Sequence, residues 1–370
     1  MTARSTPEKK RRYDRLQALE LLADLPMGPL MNLAHQERVR RFPEGRVTFV
    51  VDTNPNYTNV CVTGCAFCAF CRKNHDTDAY LLSPQEVAEK VESAAAKGAT
   101  TVLLQGGHNP KVRLKDWQAY IAAIRSVCPH VHIHPFSPAE IVFMAGQEKC
   151  SVTDVLLALW EAGIRTIPGG GAEILTEAVR KIIAPRKATT GQWLDVCEKA
   201  HRIGFKTTAT MMFGHVETDD DIIDHLLRLR DLQDLTSGFT SFIPWSFKPG
   251  RTPLSKQVRH PAHPARYVRI IAVARLVLDN FPHIQSSWFS ETIPAGQLGL
   301  LSGADDFGGV LVEEHVHKEA GHDRQATVDT VLTIIRRAGF IPARRDSFYR
   351  VQETMAPPMP VGTASLIADR

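Results

Sequence analysis

From residue 47 onward, short apolar runs of strand character alternate with longer stretches of helical periodicity, and this order leaves few folds open. Strand-like runs fall at residues 47–51, 101–105, 131–136, 165–168, 207–213, 239–245, 283–288 and 310–313. Helical patterns lie between them at 84–97, 115–127, 152–162, 193–203, 219–235 and 265–280, after a helical preface that ends near residue 34. Ser83-Pro84-Gln85-Glu86 shows how such a helix begins, with a serine cap, proline at the first helical position and glutamate three residues after the cap. Strand and helix repeated in this order imply a parallel sheet, and about eight units at this spacing imply an α/β, TIM-type (βα) barrel rather than an open sheet.

Composition agrees with a large globular unit: 370 residues, 44% hydrophobic and 23% charged. No apolar run approaches the roughly 18 residues of a membrane span. Residues 1–12 are polar and lack the apolar stretch of a secretory signal, and seven cysteines, an odd number, do not suggest a disulfide framework. A cytoplasmic location is therefore expected. The net charge of +4 is matched by Lys9, Lys10, Arg11, Arg12 and Arg15 less Asp14. The rest of the chain is balanced, which argues against nucleic acid as a partner, since phosphate binding needs a basic face.

Barrel chemistry sits where strands hand over to the following loops, and the unusual residues fall there. Cys61-Val62-Thr63-Gly64-Cys65-Ala66-Phe67-Cys68-Ala69-Phe70-Cys71 follows the first strand, placing four thiols within eleven residues. Such a cluster points to a metal. Tetrahedral zinc usually takes two ligand pairs separated by a longer loop, which this stretch lacks. A bacterial ferredoxin run would use Cys65, Cys68 and Cys71 as C-x2-C-x2-C, but it continues with Cys-Pro where this chain has His75 and then aspartate. The third pattern is Cys61, Cys65 and Cys68 as C-x3-C-x2-C, with aromatic Phe67 just before the last cysteine.

That third pattern resembles the signature of the radical S-adenosylmethionine (SAM) superfamily, and the likeness runs from about residue 47 to 288. It implies a six-unit barrel core extended by C-terminal βα units towards eight. It further implies a [4Fe-4S] cluster on Cys61, Cys65 and Cys68, with one iron left open to chelate SAM, whose cleavage releases a 5′-deoxyadenosyl radical. Cys71 departs from the closest relatives, which more often carry tyrosine there. Three regions are expected: an N-terminal helical extension over 1–40, the core over 41–290, and a C-terminal extension over 291–370 that closes the barrel and ends in a flexible tail.

Later segments narrow the resemblance. Residues 56–59, 132–137, 168–174, 208–218 and 242–245 look like the menaquinone-pathway branch, and Met211-Met212-Phe213-Gly214-His215 and Pro244-Trp245-Ser246-Phe247-Lys248-Pro249-Gly250 are most similar to its dehypoxanthine futalosine cyclases. Their substrate joins a ribose-like sugar to a benzoate. The implied reaction is hydrogen abstraction from sugar C4′, attack of the carbon radical on the arene, and loss of an electron and a proton. A reducing donor such as flavodoxin or ferredoxin is also implied.

The resemblance assigns candidate roles. Phe67 is expected near the adenine, and the backbone of Gly106 and Gly107 near the methionine end. Where relatives place an acid, this chain has His108 or Asn109. Ser137, Glu140 and Glu173 are candidates for SAM's polar groups, although acids in a helix's first turn also serve as caps. His215 and Glu217 follow the fifth strand with a spacing of two, which in extended chain points both side chains the same way, and they are the candidate acid–base pair. His132 and His134 share that alternation and could face substrate or simply fill the barrel. Trp245 could stack on the substrate ring or pack in the core. Aminofutalosine synthases, which add the adenosyl radical instead of abstracting hydrogen, are the nearest enzymatic alternative. A non-catalytic metal-binding scaffold is the alternative of a different class.

Overall fold

The computed structural model describes residues 12–312, 319, 321 and 327–355. The expected flexible tail, and the last residue of the run at 310–313, lie outside them. Eight strands follow one another: β1 (Arg46–Thr53), β2 (Thr101–Leu104), β3 (His132–Pro135), β4 (Thr166–Ile167), β5 (Lys206–Phe213), β6 (Phe239–Ser246), β7 (His283–Ile284) and β8 (Asp306–Leu311). β3, β2, β1 and β8 are neighbours in one parallel sheet, and β4 to β7 form a second. Two seams join the sheets into a barrel. At β7 and β8, Ser286 N donates to Asp306 O at 2.7 Å and Asp305 N to Ile284 O at 3.1 Å. At β3 and β4, His132 Nε2 and His134 Nδ1 both lie 2.6 Å from Thr166 Oγ1.

Helices wrap this ring: α1 (Arg15–Ala23), α2 (Met27–Arg41), α3 (Pro84–Ala96), α4 (Leu114–Val127), α5 (Pro138–Glu148), α6 (Val152–Glu161), α7 (Glu177–Ile183), α8 (Thr190–Ile203), α9 (Asp219–Thr236), α10 (Pro264–Val277), α11 (Ile293–Leu301) and α12 (Val328–Arg337). Capping boxes start many of them, including Ser83 with Glu86, Ser151 with Asp154, Thr189 with Gln192 and Thr218 with Asp221. The helical preface reaches Arg41 rather than residue 34. It runs on because Arg38 on its inner face is buried and donates to Ala304 O and Arg46 O at 2.8 and 3.0 Å, tying α2 to the barrel.

The C-terminal extension supplies β8 and α12, then adds a hairpin of β9 (Ile341–Arg345) and β10 (Val351–Thr354) that the hydrophobic pattern does not announce. β9 pairs in parallel with the first half of β1, from Arg46 opposite Ile341 to Phe49 opposite Arg344, on the edge that β2 takes further along. The hairpin turn then crosses the N-terminal end of the barrel. Ser347 Oγ lies 2.8 Å from Thr101 Oγ1, Phe348 meets His132 edge-on, and Tyr349 stacks on His283 at 4.6 Å. Among the described residues, the hairpin thus covers the barrel from below, at the end away from the cysteine loop.

Candidate active site

Alternation along the strands decides what faces the interior. From β1 and its continuation these are Val50, Asp52 and Asn54, from β5 Thr208 and Thr210, and from β6 Ile243 and Trp245. They line a cavity of about 420 Å³, a size usual for small-molecule sites.

Its upper wall is the cysteine loop. Cys61, Cys65, Cys68 and Cys71 all line the cavity and all are free thiols. Backbone bonds pin the loop: Ala66 N to Ile183 O at 2.7 Å, Leu254 N to Ala66 O at 2.8 Å and Val62 N to His108 O at 3.1 Å. Thr63 Oγ1 sits 2.9 Å from Cys61 Sγ and 3.5 Å from Cys65 Sγ, and the His108 backbone N–H donates to Cys61 Sγ at 3.3 Å. Hydrogen bonds to sulfur of this kind tune a metal cluster. A bond from Cys71 draws the Cys61 thiol well below its ordinary range, whereas burial pushes Cys68 up to about 11. Among the described residues, no three His, Cys, Asp or Glu side chains converge as a single metal ion requires. Four thiols border one wall, and a multi-iron cluster takes one thiolate per corner.

Beside this wall lies a buried ion pair that the motif does not contain. Lys187 Nζ is 2.7 Å from Glu173 Oε1 and 5.4 Å above the Phe67 ring, and all three residues line the cavity. Burial opposes the Lys187 charge, but Glu173 and Cys65 outweigh it and hold the ammonium. Glu173 is not a helix cap, because α7 starts only at Glu177 and Glu173 itself has φ +47°. Opposite charges side by side are what a zwitterionic methionine end needs, so this donor set fits SAM.

Glu140 behaves otherwise. Its carboxylate closes the capping box of α5 with Ser137 and also accepts from Gly106 N at 3.1 Å, so both Ser137 and Glu140 are engaged within the protein although they border the cavity. Burial raises the Glu140 pKa. Gly106 is needed where it stands, since a Cβ would come within 2.7 Å of the Tyr57 ring, and one on Gly107 would meet Val60 O at 2.3 Å. His108 borders the cavity, while the Asn109 amide turns to Thr58 at 3.0 Å.

His134 and Trp245 reach the cavity, Trp245 beside Phe289. His132 does not line it and sits at the β3–β4 seam under Phe348. Burial lowers both histidines, His132 to about 4, so both rings are neutral near pH 7. His215 and Glu217 are not brought to the cavity. Glu217 accepts from Gly214 N at 2.6 Å and His215 N at 2.8 Å. His215 Nδ1 lies 3.0 Å from Glu217 Oε2 and 2.8 Å from Val216 N, and Nε2 faces Met212 O at 3.1 Å, so the two side chains do meet, but within the turn. Both side chains are spent folding the turn after β5.

Sequence reasoning passed over Lys187, Asp52 and Arg345. Asp52 carried a signal, an acid one step beyond the apolar run at 47–51 and in phase with inward Val50. Lys187 lies in a short irregular segment after α7, and Arg345 in a strand without strong alternation.

A model described as "Radical SAM superfamily" matches residues 55–229, and one described as "CofH/MqnC C-terminal region" matches residues 236–357. A 5-amino-6-(D-ribitylamino)uracil–L-tyrosine 4-hydroxyphenyl transferase from Methanopyrus kandleri is 39% identical over 325 residues, covering 86% of this chain and 88% of the relative. A cyclic dehypoxanthine futalosine synthase from Streptomyces coelicolor is 37% identical over 336 residues, covering 90% and 84%. Among solved structures, methylornithine synthase superposes with a TM-score of 0.71 at 18% identity, covering 90% of this chain and 95% of that one, a likeness of fold. No helix among the described residues is long and apolar enough to cross a membrane. The relatives are enzymes and so is this protein, which sets aside the non-catalytic scaffold. The chain belongs to the radical SAM superfamily and, within it, to the CofH/MqnC family.

Proposed function

We propose that this enzyme cyclises dehypoxanthine futalosine to cyclic dehypoxanthine futalosine, holding a [4Fe-4S] cluster on Cys61, Cys65 and Cys68. The observation that carries this reading is one continuous cavity bordered by those thiols, by the Lys187–Glu173 pair and by Trp245. SAM held there would supply a 5′-deoxyadenosyl radical, the hydrogen-abstracting species this reaction needs. Lys187 and Glu173 would hold its carboxylate and ammonium, Phe67 its adenine, and the Gly106–Gly107 backbone would allow close approach. Ser137 and Glu140 act by holding Gly106 in place. Trp245 and Phe289 offer flat faces to the benzoate ring, and neutral His134 offers a polar contact beneath it. His132 supports His134 through Thr166, and His215 and Glu217 keep the turn after β5 in shape. An electron donor of flavodoxin or ferredoxin type, in the reducing cytoplasm, completes the proposal.

Anaerobic incubation of reduced, reconstituted enzyme with SAM and dehypoxanthine futalosine tests it. Release of 5′-deoxyadenosine with a product lighter by two hydrogen atoms supports the cyclase, and an adenosine adduct formed from an enolpyruvyl benzoate would support aminofutalosine synthase instead. The Methanopyrus kandleri relative, as similar as the Streptomyces coelicolor one, favours a second reading. Product from 5-amino-6-(D-ribitylamino)uracil and L-tyrosine, with none from dehypoxanthine futalosine, would establish transferase activity.

A further inference from the structure

At the bottom of the cavity one carboxyl group has an oxygen without a hydrogen bond. Asp52 lines the cavity, is 7% exposed, and its buried Oδ1 makes no hydrogen bond. Space for it is built in: a Cβ on Gly309, across the β1–β8 pairing, would lie 2.2 Å from that oxygen. Burying a carboxylate with one oxygen unpaired is costly; Oδ1 packs against Gly309 while the residue borders the cavity, so its retention there points to a ligand that reaches the rest of the carboxylate.

The neighbours select the ligand. Arg345 reaches Asp306 through Nε at 2.5 Å and Nη2 at 3.1 Å, and its Nη1 faces Asp346 O at 3.1 Å. Its charge is therefore matched by Asp306, and with Asp52 ionised the trio carries one net negative charge. A substrate carboxylate is repelled there, and an ammonium would face the Arg345 guanidinium. Thr101, opposite Asp52 in the β1–β2 pairing, and Ser347, 2.8 Å from it, are hydroxyls that both donate and accept, and both line the cavity. We propose that the barrel floor is a polyol subsite in which Asp52 accepts hydrogen bonds from hydroxyls of the substrate's sugar or sugar-alcohol moiety, covered below by the C-terminal hairpin. The proposal rests on the cavity being the substrate site and adds the orientation, hydroxyls down.

Equilibrium binding to anaerobically reconstituted holoenzyme tests it, with dehypoxanthine futalosine, 5-amino-6-(D-ribitylamino)uracil and L-tyrosine as separate probes. At pH 8, with Asp52 ionised, a charge-assisted hydrogen bond predicts that Asp52→Asn weakens binding of the hydroxylated probe about ten- to a hundredfold. An analogue of that probe stripped of its hydroxyls should bind wild type weakly and be indifferent to the substitution, a result that does not depend on how the variant folds. Unchanged affinity of Asp52→Asn for a probe that wild type binds overturns the subsite but leaves the cyclase reading standing. Asp52-dependent binding of the ribitylaminouracil alone upholds the subsite and overturns the cyclase. Asp52-dependent binding of L-tyrosine alone, or no binding of either hydroxylated probe to wild type, overturns both.

Discussion

The roof and the floor of the cavity are built in opposite ways. The roof is one contiguous segment, residues 61–71, whose thiols are set by local spacing and held by backbone bonds to residues 108, 183 and 254. The floor gathers Asp52, Thr101, Asp306, Arg345 and Ser347 from three strands and a hairpin. A motif needs only its own loop to survive, whereas a floor needs the barrel closed. The largest effect should follow from breaking the roof: Cys61→Ala should abolish the iron–sulfur absorbance and all SAM cleavage, while Cys71→Ala keeps both. Cys71 lies against the Cys61 carbonyl at 3.4 Å and outside the C-x3-C-x2-C set. The reverse pattern of cluster loss would transfer the ligand role to Cys71.

Breaking the floor should instead damage folding. Burial opposes the Arg345 charge, and Asp306 more than restores it. Asp306 also accepts from Thr48 at 2.6 Å and Gly308 N at 2.9 Å. Arg345→Met leaves that carboxylate buried without its cation, which costs about 3–5 kcal/mol. Anaerobic denaturant titration should show the loss, with cluster content per folded molecule unchanged. If cluster content fell in step with stability, roof and floor would not be independent.

The same contrast explains what the sequence disclosed. The strand order, the helix starts and the three thiols are local patterns and were readable as such. Ser137-Pro138-Ala139-Glu140 repeats the Ser83-Pro84-Gln85-Glu86 pattern, so α5 was equally readable, yet its position at a strand end invited a ligand role for residues that also build a cap. Glu173 was open to the converse error, an acid resembling a cap whose partner is Lys187 across the loop. Asp52 and Arg345 acquire meaning only when β1, β8 and β9 lie side by side, and no spacing along the chain encodes that.

His215 and Glu217 lie between these cases, close in sequence but turned away from the cavity. Glu217→Gln replaces one accepting oxygen with an amide that faces a backbone N–H, at a cost of about 1–3 kcal/mol. The variant should therefore unfold at lower denaturant while its kcat for deoxyadenosine release, and the ratio of that release to product, stay at wild-type values. A drop in product with release intact would return the pair to proton transfer.

The last effect concerns Asp52 and has the opposite sign. Burial first, then Asp306, raises its pKa from 3.8 to about 7, with Arg345 pulling the other way. A carboxyl whose folded pKa is raised contributes stability that is complete below its unfolded value and is lost as pH climbs through the folded one. Wild type should thus lose stability between about pH 4 and pH 7 on account of this group, and Asp52→Asn should lack that part of the slope. The asparagine amide is itself short of partners in the same place, a cost that does not change with pH, so the variant should stand about 2–3 kcal/mol better against wild type at pH 8 than at pH 5. Paired denaturant titrations at the two pH values measure the difference directly. A variant that stood no better at pH 8 than at pH 5 would mean that Asp52 is held by the fold rather than kept for a ligand. A gain at pH 8 relative to pH 5, coupled to loss of substrate affinity, would mark a residue retained at the expense of stability because the substrate completes it.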